Sequence, residues 1–115
     1  MTRSQRKEPR FEVVWKAQIK NEYETVYQGS VHNVSASGFK VICDQPLRES
    51  SGVNATVLCK HIRQLAAYSL EGSVVYCIPL QDRLGYQIGI RLTEIPDNYM
   101  QQILQMEADG HPIYE

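Results

Sequence analysis

The sequence is poor in the residues that mark a catalyst, a metalloprotein or a membrane protein. Cysteine occurs three times in 115 residues, at Cys43, Cys59 and Cys77, with no C-x-x-C and no histidine at metal-ligand spacing. An odd, uneven set argues against a disulfide framework. Each cysteine falls in an apolar, β-like run, where a reduced thiol acts as a small buried hydrophobe. Apolar runs stay far short of the ~20 residues a membrane helix needs. The basic N-terminus meets Glu12 and Lys16 before any apolar stretch, so no secretory signal is expected and the expected location is the cytoplasm. Charge of one sign is also lacking, since the net charge is −1. A nucleic-acid binder would carry a basic surface, and no specific nucleic-acid partner is expected. His32, His61 and His111 are isolated, and no serine-histidine-acid set or carboxylate pair surrounds them. The expectation is a protein that is not an enzyme, with no cofactor and no metal.

What is present fits one ordinary globular domain, 43% hydrophobic and 22% charged. The charge is unevenly placed: residues 1–10 carry Arg3, Arg6, Lys7 and Arg10 against Glu8, giving +3, and the remainder carries −4. Positive charge is therefore local, as its ligand should be. Residues 1–10 lack apolar periodicity and read as a flexible N-terminal arm.

From Phe11 the pattern changes. Phe11, Val13, Trp15, Ala17 and Ile19 alternate with Glu12, Lys16, Gln18 and Lys20, the period-2 signature of a half-buried strand. Further strands are predicted at Thr25–Val31, Phe39–Cys43, Val53–Lys60, Ala67–Ile78 and Tyr86–Leu92, with a turn over Asn33–Gly38 and a loop over Asp44–Gly52. Beyond Pro96 the period lengthens. Tyr99, Ile103 and Met106 recur at helical spacing, with Asp97 or Asn98 as N-cap and Gly110 as a left-handed stop. Trp15, Tyr68, Tyr76 and Tyr86 read as core or sheet surface, and the helix as packing on its own sheet in preference to a dimer contact through Met100, Leu104 and Met106. Six strands and a terminal helix fit an antiparallel barrel, or an open α+β sheet with the helix across one face.

Two islands carry chemistry. In Arg6-Lys7-Glu8-Pro9-Arg10, Pro9 disfavours the helical conformation at Glu8, so the arginines do not stack as on a helix. Extended, their α-carbons stand about 13 Å apart, and a bend lets both converge on one small ligand. Arginine matches phosphate oxygens bidentately and also pairs with guanine O6 and N7. In Asn33-Val34-Ser35-Ala36-Ser37-Gly38, asparagine offers donors and acceptors to a base edge and Ser35 can donate to a phosphate. Gly38 supplies positive φ and leaves the approach open. This chemistry suits a compact, dianionic, guanine-bearing ligand.

Together, R-x-x-x-R and N-x-S-x-x-G, in that order, resemble the two signatures of the PilZ domain family of cyclic di-GMP receptors. Tyr86-Gln87-Ile88-Gly89-Ile90-Arg91-Leu92 is similar to the family's closing strand, so the resemblance runs over residues 6–107. It implies an all-β, six-stranded antiparallel barrel over residues 11–109 with a C-terminal α-helix, the arm over 1–10 and a tail over 110–115. It also implies that Arg6, Arg10, Asn33, Ser35 and Gly38 bind cyclic di-GMP. Gln5 stands where some members carry another arginine, which leaves one ligand or an intercalated pair open. The implied function is that of a stand-alone bacterial receptor whose arm changes conformation and signals to a protein effector of motility, attachment or polysaccharide production. The alternatives are a nucleotide-independent adaptor of the same fold and a single-stranded nucleic-acid-binding barrel.

Overall fold

A computed structural model describes residues 8–61 and 64–109, which form six strands and a helix. They are β1 (Phe11–Lys20), β2 (Val26–Val34), β3 (Gly38–Cys43), β4 (Gly52–His61), β5 (Gln64–Pro79), β6 (Tyr86–Leu92) and α1 (Asp97–Ala108). Every pairing is antiparallel, and the order β1-β2-β3-β6-β5-β4 closes through β1 and β4 into a barrel. The open-sheet alternative is thereby excluded. Closure removes exposed edges, which is how all-β chains of this size avoid pairing with one another.

Alternation fills the interior. Trp15, Ala17 and Ile19 of β1, Val53, Ala55, Val57 and Cys59 of β4, and Ile88, Ile90 and Leu92 of β6 are all buried. Each large aliphatic side chain removed from water this way contributes about 1.5–3 kcal/mol. Trp15 satisfies its indole by donating to the Lys60 carbonyl at 2.9 Å. The three cysteines are free thiols, Cys43 and Cys59 fully inside. Burial pushes the Cys59 thiol up to about 12. Burial, then Asp44 and Cys77, push Cys43 up to about 11.

Several boundaries differ from expectation. Strand β2 runs on through Asn33 and Val34, because these pair with Glu12 and Phe11 on one side and with Lys40 and Phe39 on the other. The turn shrinks to Ser35–Ser37. Strand β5 is longer at both ends, reaching Pro79, which pairs with Tyr86 at the strand terminus, where a missing N–H is tolerated.

Helix α1 turns Tyr99, Gln102, Ile103 and Met106 onto the barrel and leaves Leu104 exposed. Tyr99 meets the Tyr68 ring edge-on, with centroids 6.0 Å apart, and the Tyr68 hydroxyl donates to Gln102 Oε1 at 3.3 Å. Neither Asp97 nor Asn98 is the N-cap. Pro96 holds that place in extended conformation, so both polar residues fall inside the first turn, where Asp97 faces the positive end of the helix dipole. The predicted stop at Gly110 lies outside the described residues.

Candidate functional site

The β2–β3 turn is held from several directions. Ser35 N–H donates to the Gly38 carbonyl at 2.9 Å, and Leu92 N–H donates to the Ser37 carbonyl at 2.8 Å. From the helix, the Tyr99 hydroxyl donates to the Ser35 carbonyl at 2.7 Å. That phenol is pushed well above its ordinary value, first by burial and then by the nearby Cys59 and Glu8. From the arm, Glu8 Oε1 accepts from Ser37 Oγ at 2.9 Å and from Ser37 N–H at 3.4 Å.

The positive φ expected at Gly38 is not found. Positive φ among the glycines is confined to Gly85 within the described residues. At Gly38 a Cβ would lie 2.3 Å from the Ile90 carbonyl oxygen and 3.3 Å from Arg91 Cα, both backbone. The glycine is required because β3 and β6 approach closely there, not because the turn is left-handed.

Two β-bulges aim the side chains outward. In β2, Val31 opposite Val41 faces the core, and the extra residue His32 shifts the phase so that Asn33, opposite Lys40, points out. In β5, Tyr68, Leu70 and Val74 face inward at even positions. The bulge at Val75 then turns even-numbered Tyr76 out, opposite Gly89. Bulges re-aim side chains in this manner because an extra residue reverses the period-2 alternation. The result is a row across five strands, Glu12, Asn33, Lys40, Gly89 and Tyr76.

Above this row lies a cleft of about 210 Å³, lined by Arg10, Asn33, Ser35, Ser37, Gly38, Lys40, Tyr76, Gly89 and Arg91, with Phe39, Val75 and Ile90 completing the walls. Four of the five residues expected from sequence, Arg10, Asn33, Ser35 and Gly38, meet there. Arg6 lies outside the described residues. Asn33 and Lys40 also border a shallower hollow of about 530 Å³ with Glu12, Val13, Val14 and His32. Three cations, Arg10, Lys40 and Arg91, line the cleft, so it favours an anion. The Tyr76 ring lies over Gly89, where a Cβ would come within 2.2 Å of Tyr76 Cε2. Its hydroxyl accepts from Gln87 Nε2 at 3.3 Å. No cluster of three or more histidine, cysteine or acidic residues suited to a metal occurs among the described residues. Nor is any helix among them long and apolar enough to cross a membrane.

Sequence reasoning missed Lys40, Arg91, Tyr76, Gly89 and the Glu8–Ser37 contact. Lys40 and Arg91 were accessible in principle, being outward by alternation from Gly38 and Gly89. Gly89, a lone glycine in an apolar strand, signalled a close approach. Tyr76 was hidden by the bulge.

Comparison with known proteins gives a consistent picture. The PilZ domain pattern matches residues 4–108, whereas no curated protein matches the chain. Among solved structures, the Bacillus subtilis inhibitor of motility MotI (DgrA) superposes with a TM-score of 0.79 at 17% identity, covering 95% of this chain and 51% of that one. The PilZ domain of Escherichia coli YcgR with c-di-GMP gives 0.70 at 8% identity, covering 90% and 89%. The K. pneumonia MrkH–c-di-GMP complex gives 0.71 at 16% identity, covering 95% and 52%. The chain thus spans about half the length of MotI and MrkH and nearly all of the YcgR domain. At these identities the likeness is one of fold.

Proposed function

The chain belongs to the PilZ domain family, and from that premise we propose that it is a cyclic di-GMP receptor. The observation that carries the proposal is the convergence of Arg10 from the arm with Asn33, Ser35 and Gly38 from the β2–β3 connection on one cleft that also holds Lys40 and Arg91. The PilZ domain of YcgR and MrkH were each solved with c-di-GMP, and that ligand chemistry suits the cleft here.

In this reading Arg10, with Arg6 beside it in the motif, grips phosphate oxygens and the guanine O6/N7 edge through paired N–H groups. Lys40 and Arg91 add charge against the two phosphates. Asn33, turned outward by the His32 bulge, presents its carboxamide to a base edge, and Ser35 contributes a hydroxyl. Gly38 lets the turn sit close against β6. The Tyr76 face offers a stacking surface, which is worth about 1–3 kcal/mol per base. The protein acts as a receptor and not as an enzyme, and its place of action is the cytoplasm, in keeping with three free thiols. A change of arm conformation around the ligand creates the signal, read by a protein effector of motility, attachment or polysaccharide production.

Calorimetric titration with cyclic di-GMP and, separately, cyclic di-AMP tests this. Saturable binding of the first, at least about tenfold tighter than the second, is the expected result, since one bidentate base contact is worth about 1–3 kcal/mol. Equal affinities would refute guanine readout. Absence of binding by a folded chain would refute the receptor reading in favour of a nucleotide-independent adaptor.

A further inference from the structure

We propose that Glu8, in the middle of the R-x-x-x-R island, is a positioning residue that clasps the chain to the β2–β3 turn and so presents Arg10 to the cleft. This rests on the reading of the cleft as the cyclic dinucleotide site. Glu8 Oε1 takes two donors from one residue, the Ser37 hydroxyl at 2.9 Å and the Ser37 amide at 3.4 Å. Ser37 itself lines the cleft. Its carbonyl is fixed to β6 through Leu92 N–H, and the preceding Ser35 carbonyl is fixed to α1 through the Tyr99 hydroxyl. The carboxylate therefore docks on a platform secured at both ends.

Chain geometry converts this contact into placement of Arg10. Arg10 is two residues from Glu8, at most about 7 Å along the backbone. Between them Pro9 locks its own φ and disfavours the helical conformation at Glu8, where the chain bends. A seated Glu8 thus confines Arg10 to the cleft wall before ligand arrives, and the entropy of ordering that stretch is not charged against binding. What the clasp needs from residue 8 is a hydrogen-bond acceptor. The negative charge works the other way, because it repels a dianionic ligand. The amide of glutamine supplies the acceptor without the charge, which separates the two effects.

The experiment measures cyclic di-GMP affinity and thermal midpoint for the wild type, Glu8→Ala, Glu8→Gln, Ser37→Ala and the double variant Glu8→Ala/Ser37→Ala. In parallel, tryptic cleavage after Lys7 and Arg10 is timed in ligand-free wild type and Ser37→Ala, whose cleavage sites are unchanged. A charge-assisted hydrogen bond sets the expected scale at roughly tenfold. Glu8→Ala, Ser37→Ala and the double variant should each lose about that factor, without summing. Glu8→Gln should recover wild-type affinity or exceed it. Melting midpoints should coincide, and Ser37→Ala should be cut several-fold faster. Affinity unchanged or improved in Glu8→Ala, or losses that add in the double variant, would overturn the clasp. If wild type binds no cyclic di-GMP the receptor reading fails, yet the clasp is still decided: faster cleavage of Ser37→Ala upholds it and equal rates overturn it.

Discussion

Replacing Gly38 with alanine sets the close approach of β3 to β6 against ligand chemistry as the reason for a glycine there. The new Cβ would sit 2.3 Å from the Ile90 oxygen, where carbon and oxygen need about 3.3 Å. The atoms it meets are backbone, so β3 and β6 must part by about 1 Å across the Gly38–Arg91 and Phe39–Ile90 pairs. Overpacking of this kind costs about 1–3 kcal/mol, and losing a ladder hydrogen bond adds about 1 kcal/mol. At about 4–8 °C per kcal/mol for a domain of this size, the melting midpoint should fall by about 8–32 °C. Gly89→Ala is the control. Its Cβ would strike the Tyr76 ring, a side chain that can swing aside at about 1 kcal/mol. That variant should stay folded, melt only about 4–8 °C below the wild type and lose ligand affinity as well. Thermal unfolding followed by circular dichroism, paired with ligand titration, reads both. A Gly38→Ala midpoint within about 2 °C of wild type would refute the reasoning.

Further expectations follow from the cleft and its supports. Arg10→Ala should weaken cyclic di-GMP binding about 10- to 100-fold, the worth of one charged hydrogen-bonding group, in a chain that stays folded; equal affinity by calorimetry would remove Arg10 from the site. Tyr76→Ala should cost about 5- to 100-fold in affinity if the ring stacks a base, whereas Tyr76→Phe should bind like wild type. Tyr99→Phe deletes the donor to the Ser35 carbonyl, and urea titration should register a loss of about 1 kcal/mol. Raised thiols at Cys43 and Cys59 mean the unfolded chain releases protons that the folded chain keeps. Stability is therefore complete below pH 9 and falls as pH climbs toward 11–12, by up to about 1.4 kcal/mol per pH unit for each thiol. Cys59→Ala should flatten that slope by one thiol's share, and an unchanged slope would contradict the assignment.

Much of the barrel was legible because alternation reports burial directly. Tyr86–Leu92 was read without error since Ile88, Ile90 and Leu92 face the core with no interruption. The helix was legible from Tyr99, Ile103 and Met106, but its start was not. Pro96 occupies the cap, and a side-chain rule based on Asp97 and Asn98 could not anticipate that. Closure was not readable from the residues alone, since the β1–β4 and β3–β6 ladders join segments far apart in sequence.

The candidate site divides in the same way. Arg10, Asn33, Ser35 and Gly38 were legible as motif residues, their types carrying the chemistry. Tyr76 was not, because the Val75 bulge reverses a phase that otherwise sends even positions of β5 inward. The reason first given for a glycine at position 38 does not hold: its neighbour across the sheet, not its own φ, demands one. The Glu8–Ser37 contact spans 29 positions, and no local pattern announces it.

The central claim, that the cleft beside the β2–β3 turn takes cyclic di-GMP, is tested most directly by titrating that ligand into ¹⁵N-labelled protein and mapping the amide shifts. The account predicts saturable changes concentrated at Arg10, residues 33–40, Tyr76, Gly89 and Arg91, with the hollow formed by Glu22, Glu24 and Glu71 silent. Shifts confined to that acidic hollow, or none anywhere in a folded chain, would contradict it.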